Sequence, residues 1–184
     1  MYGETNIEKE YREKVYNLLS LEDSFFCFGH LDFRKQRYRR SDYKQQREDD
    51  FNYILLLTCK ELDISKGKVC VVLKHEITKR HSITNCNGHL HFLISSYGLK
   101  KLDKGKFIKT FSKLWKEHKG RLVMQEFNYD LKKEGLNYSA KVKKNGEFVF
   151  DGIKISPAME RRLKWLSRHS LNGPRMPSTG FSDK

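Results

Sequence analysis

The sequence predicts an α+β fold: an antiparallel sheet of about five strands with helices packed on it. Three observations predict it. Four or five short aromatic or β-branched segments have the length and composition of strands. Amphipathic stretches of helical length stand between them. A polar, turn-rich connection joins two of the strands as a hairpin, so hairpin links outnumber βαβ crossovers. With 184 residues, the chain is long enough for one well-buried domain and too short for two ordinary ones. One domain is expected over 1–170. Residues 171–184 carry Gly, Pro and Ser without periodicity and read as a loose tail.

In chain order, Asn6 to Leu19 is predicted helical, with Tyr11, Val15, Leu18 and Leu19 as an apolar stripe among charges. Phe25 to Phe33 is aromatic-rich, short and bounded by polar clusters, which makes it a strand. Ser41 and Asp42 are candidate caps for a helix running to Glu61 that turns Phe51, Ile54, Leu55 and Cys59 inward. Val69 to Leu73 is a β-branched strand continuing towards His75, Glu76 and Ile77, and His89 to Ile94 is the next strand; the turn-rich stretch 78–88 joins them. Phe107 to His118 is an amphipathic helix with Ile108, Phe111, Leu114 and Trp115 on one side, followed by a strand over Arg121 to Phe127. A short helix over Leu131 to Lys143, a strand piece over Phe148 to Phe150 and a basic helix over Ala158 to His169 complete the order.

Net charge is +14, from 37 basic and 23 acidic residues, which points to a polyanionic partner, nucleic acid before an anionic membrane surface. No run of about 18 apolar residues exists, so no membrane span is expected. The N-terminus lacks the basic-then-apolar layout of a secretory signal, and a cytoplasmic location is expected. Cys27, Cys59, Cys70 and Cys86 form no CxxC pair and fit no common zinc spacing. Three buried thiols and one loop thiol, Cys86, are expected, in keeping with a reducing compartment.

Three motifs carry chemistry. His89 and His91 stand two apart in a strand, so their imidazoles project from one face and could grip one divalent ion, while Leu90 and Phe92 turn to the other. The strand before them ends in His75-Glu76. These two face opposite ways, so at most one joins the site. The 69/71/73/75 face reads as buried and the 70/72/74/76 face as less so, which favours Glu76 over His75 as the third ligand. Tyr138 and Lys141 lie three apart on a predicted helix and share a face, and an ammonium beside a phenol favours the nucleophilic phenolate.

In order and spacing these motifs resemble the HUH endonuclease superfamily, and within it the one-tyrosine replication-initiator (Rep) proteins of rolling-circle plasmids and single-stranded DNA viruses. His89-Leu90-His91 matches their His-hydrophobic-His motif, Tyr138 to Lys141 matches Tyr-x-x-Lys, and Phe25 to Phe33 loosely matches an earlier aromatic strand. That first motif departs from the family at Gly29-His30, and His30 stands as a further candidate for the site. No GKS/T loop occurs, so the helicase domain of many viral Rep proteins is not expected. The resemblance implies an HUH/RRM-like core and a divalent ion, Mg or Mn, held by His89, His91 and Glu76. It implies attack by Tyr138 on a phosphodiester of single-stranded DNA or an origin stem-loop, with Lys141 orienting the phenol or stabilising developing charge. The products would be a 5′-phosphotyrosine link and a free 3′-OH for the host replication machinery to extend.

The run Arg34, Lys35, Arg37, Tyr38, Arg39 and Arg40 combines phosphate contacts with a stacking ring and is the expected DNA-binding segment. Further basic sets lie at Lys100, Lys101, Lys104, Lys106 and Lys109, and at Arg161, Arg162, Lys164 and Arg168 beside Trp165. A single-tyrosine transposase and a non-catalytic basic nucleic-acid-binding module are the alternative readings.

Overall fold

The computed structural model describes residues 6–33, 43–76, 89–99, 102–118, 120–128, 136, 143–144, 147–148 and 153–169. The elements are α1 (Asn6–Ser20), β1 (Phe25–Phe33), α2 (Tyr43–Glu61), a 3-10 turn (Lys66–Lys68), β2 (Cys70–Glu76), β3 (His89–Ser95), α3 (Lys104–His118), β4 (Gly120–Glu126), β5 (Lys143–Lys144), β6 (Glu147–Phe148), β7 (Ile153–Ile155) and α4 (Pro157–His169). The strand over β7 is an addition to the expected set: Ile-Lys-Ile is too short to show a period. Of the helix expected over Leu131 to Lys143, only Leu136 and the last residue, Lys143, are described: Leu136 is helical and Lys143 is β-paired with Phe148. The capping pair Ser41-Asp42, the loop thiol Cys86 and the tail 171–184 lie outside the described residues.

The main sheet has the order β4-β1-β3-β2-β7, every neighbouring pair antiparallel. From β1 to β4 the chain runs β1-α2-β2-β3-α3-β4, the split βαβ arrangement in which β1 and β2 lie either side of β3. The fold is thus α+β, with helices on an antiparallel sheet. One face packs against α2 and α3: Cys27, Leu31, Val71, Leu73, Leu90, Phe92 and Ile94 meet Phe51, Ile54, Phe107, Phe111 and Trp115. Burying each such large side chain contributes about 1.5–3 kcal/mol. On the other face Phe25, Cys70, Val72 and Leu93 meet Leu19 of α1, Met159 and Leu163 of α4, Phe127 and Leu136.

Cover on both faces corrects one expectation. The Cys70/Val72/Lys74 face of β2 is as buried as its opposite: Cys70 and Val72 are 1% exposed and Lys74 4%. The cause is α4, whose first turn is pinned to β2 by Ser156, which donates its N–H to Val71 O at 2.9 Å and its hydroxyl to Val69 O at 3.2 Å. The stripe on α1 also begins later than expected, since Tyr11 is 43% exposed while Val15, Leu18 and Leu19 pack inward.

Gly29 of β1 is dictated by its neighbours. It pairs with Phe92 on β3 and with Met124 on β4. A Cβ there would lie 2.5 Å from Phe92 Cζ and 2.5 Å from the Val123 carbonyl oxygen. The Phe92 ring crosses β1 at this residue, and only glycine leaves it room.

Candidate functional site

The histidines sit on β3 because of strand alternation. Leu90, Phe92 and Ile94 enter the core under α2 and α3, which turns His91 and Leu93 to the opposite face. On that face the register assembles rows across the sheet. His91 is opposite His30 of β1 on one side and Lys74 of β2 on the other. The His30 and His91 ring centroids are 5.8 Å apart at 58°, and Phe28 stacks parallel to His91 at 6.5 Å. His91 and Lys74 are each 4% exposed. A site this buried has a low local dielectric, in which each polar interaction counts for more than it would in water.

The next row along the strands is set by backbone pairing: Asp32 of β1, His89 of β3 and Glu76 of β2 are consecutive partners. Two rows therefore bring His30 beside His91, and Asp32 and Glu76 either side of His89. Among the described side chains no group of three His, Cys, Asp or Glu could hold a metal.

His75 is on the other face. It pairs with Leu90 and is 2% exposed. Its Nε2–H donates to Glu48 Oε1 of α2 at 3.0 Å. Lys154 of β7 donates to the second oxygen of Glu48. Burial pushes the Glu48 carboxyl up, but the hydrogen bonds and charges of His75 and Lys154 outweigh it and leave its pKa below the ordinary value. His75 thus belongs to a clamp joining α2, β2 and β7, while Glu76 shares a row with His89.

Tyr138 and Lys141 lie outside the described residues, as does the basic run Arg34, Lys35, Arg37, Tyr38, Arg39 and Arg40. Their neighbours in the chain are placed. Leu136 is fully buried among Phe25, Cys70, Val72 and Leu93, on the histidine-bearing face, two residues before Tyr138. The run 34–42 connects Phe33, next to the Asp32 row, with Tyr43. It leaves the sheet at the end that carries His89 and Glu76.

The other basic sets divide. Lys104, Lys106 and Lys109 are exposed on α3, across the sheet from the histidines. Arg162 is not a solvated cation as its helix suggested: it is 9% exposed, and its Nε donates to Glu22 Oε2 at 2.9 Å. Lys164 pairs along the helix with Glu160 at 2.5 Å. Arg161 and Arg168 are exposed.

Asp32, Lys74, Glu48 and Lys154 were missed in the sequence. Alternation in Phe28-x-His30-x-Asp32 was a usable signal, because it puts the three on one face. What it lacked was the identity of the partner strand, some sixty residues away. Among the described residues no helix is long and apolar enough to cross a membrane. No family model, no curated protein and no solved structure matches the chain.

Proposed function

We propose that the chain is a metal-dependent endonuclease that nicks and rejoins single-stranded DNA through one tyrosine, to initiate rolling-circle replication of a small genetic element. The observation that supports this most is a shared face: the His30–His91 pair and Leu136, two residues ahead of Tyr138, lie on the same side of the sheet. The resemblance of the two motifs in order and spacing supports it independently, as does the net charge of +14.

In this reading His89, His91 and Glu76 hold Mg or Mn, with His30 as an additional neighbour. Bound there, the ion supplies positive charge to the oxygens of the scissile phosphate. The Tyr138 oxygen forms a bond to phosphorus while the bond from phosphorus to the 3′ oxygen breaks. The phenolic proton is lost in an ionisation that the Lys141 ammonium favours, and the departing 3′ oxygen takes up a proton to become a 3′-OH. One phosphodiester replaces another, so the step runs in either direction and the ends can be rejoined. The run Arg34 to Arg40 offers cations to the phosphates and Tyr38 a ring to a base.

The test is covalent capture on single-stranded oligonucleotides carrying origin stem-loops. A denaturation-resistant protein–DNA adduct is expected that requires Mn or Mg and is absent with Tyr138→Phe and His91→Ala. An adduct that survives Tyr138→Phe would move the nucleophile elsewhere. Salt-sensitive DNA binding with no adduct on any substrate would leave a basic binding module. Capture on transposon-end hairpins but not on origins would make the same chemistry a transposase.

A further inference from the structure

A second feature stands apart from the histidines. At the far end of β2 and β3, where Cys70 pairs with Ser95, a cleft of about 340 Å³ opens between the 3-10 turn, the Tyr97–Gly98 turn and α4. Lys68, Tyr97, Gly98, Arg161, Arg162 and Trp165 line it. Two large rings in it face solvent, Tyr97 at 44% and Trp165 at 49% exposed. They are not loosely placed. The Arg162 guanidinium lies 3.8 Å from the Tyr97 ring centre and 5.3 Å from that of Trp165. Arg162 is itself fixed by the buried Glu22 carboxylate, at 2.9 Å from Nε, and by Asp23 at 3.5 Å from a terminal nitrogen. Glu22 also accepts from Ser24 N–H and from the Ser95 hydroxyl. His169 stacks on Trp165 at 4.4 Å and 18°.

Exposed aromatic rings beside a neutralised arginine lose little freedom when a flat partner arrives, and at Trp165 such a partner takes the place of the exposed His169 ring. Lys68 and Arg161 are exposed at the same rim, and neither is in an ion pair among the described residues. Rings for stacking beside unneutralised cations match the chemistry of a nucleotide in a single strand, whose base offers a flat face and whose backbone offers phosphate. The volume is in the range of a small-ligand site.

We propose that this cleft binds one or two nucleotides of single-stranded DNA, with Tyr97 and Trp165 stacking on bases and Lys68 and Arg161 contacting phosphate. The inference rests on the nicking reading for the choice of DNA. The cleft and the histidines lie on the same face of the sheet, because Cys70, Val72 and Lys74 alternate to one side. They are four residues apart along β2, roughly 13 Å. A strand seated in the cleft is thereby anchored at a fixed distance from the phosphate to be cut, and the cleft acts as a ruler for the nicking position.

The experiment separates this from catalysis. Fluorescence anisotropy with a labelled oligo(dT) in EDTA measures binding without any cutting, on wild type, Trp165→Ala, Trp165→Phe and the double variant Lys68→Ala/Arg161→Ala. Stacking on one base accounts for about 5- to 150-fold in affinity, so Trp165→Ala is expected to raise Kd by about tenfold and Trp165→Phe to restore most of it. The double variant is expected to weaken binding and to flatten its salt dependence. Arg162 is left intact because its pair with Glu22 supports the fold. Unchanged Kd in both Trp165→Ala and the double variant overturns the proposal, and if those variants still form the covalent adduct the nicking reading stands without it. Equal loss in Trp165→Ala and Trp165→Phe overturns the stacking role. Tenfold preference for oligo(U) over oligo(dT) overturns the assignment to DNA.

Discussion

Gly29 shows how one residue constrains a strand. A methyl group there would meet the edge of the Phe92 ring and a backbone oxygen, both at 2.5 Å. The ring can tilt but the Val123 carbonyl is held in the β1–β4 ladder, so β1 itself must shift. Gly29→Ala is expected to destabilise the fold by about 1–3 kcal/mol, the usual cost of overpacking, read as a lower urea midpoint at unchanged slope. A midpoint equal to wild type would show that β1 is free to move. Because His30 follows directly, the same variant tests how far the His30–His91 spacing depends on this packing.

Between elements, Glu48 is the tie. It accepts from His75 of β2 and from Lys154 of β7 while standing on α2, so it connects the helix layer with an edge of the sheet. Its pKa is lowered in the folded chain from 4.5. A carboxyl depressed on folding stabilises the fold above its unfolded pKa, and that stabilisation is lost as pH falls through the folded value. Wild type should therefore lose stability below about pH 4.5 more steeply than Glu48→Gln, which should be less stable at neutral pH and flatter in acid. Thermal midpoints taken from pH 7 down to pH 3 check this, and parallel curves for the two proteins would remove Glu48 from the account. Elements were the most legible level of this protein in its sequence. The strand Phe25–Phe33 and the helices α2 and α3 follow from local composition and period. Tyr11 and Ile153–Ile155 do not: whether a ring is covered, or three residues join a sheet, depends on neighbours absent from the local pattern.

For the whole molecule the relevant quantity is charge. A net +14 on a chain with this many exposed cations favours release of condensed counterions when a polyanion binds. Single strands lose affinity with a slope of about −0.7 per phosphate neutralised, so about five contacts correspond to a slope near −3.5 and roughly a hundredfold loss between 50 and 200 mM salt. A titration of oligo(dT) binding against salt measures it, and a slope near zero would mean that the basic surface is solvated rather than used.

The sequence by itself determined the α+β class, the order of strands and helices from α1 to β4, and that Leu90 and Phe92 of β3 turn away from its histidines. Those properties follow from periodicity within a dozen residues, which any window of the chain contains. It also displayed His89-Leu90-His91 as a pair on one face. Only the tertiary structure decided that β1 lies between β3 and β4 and that β7 joins the edge of β2, and with them the neighbours of His91. Register put His30 beside His91, and packing sent His75 to Glu48 behind the sheet and turned Arg162 from an apparent surface cation into the buried partner of Glu22. Pairing across sixty or more residues is a choice among many partners with similar local patterns. The burial of both sheet faces selects one of them, and no local stretch of sequence records that selection.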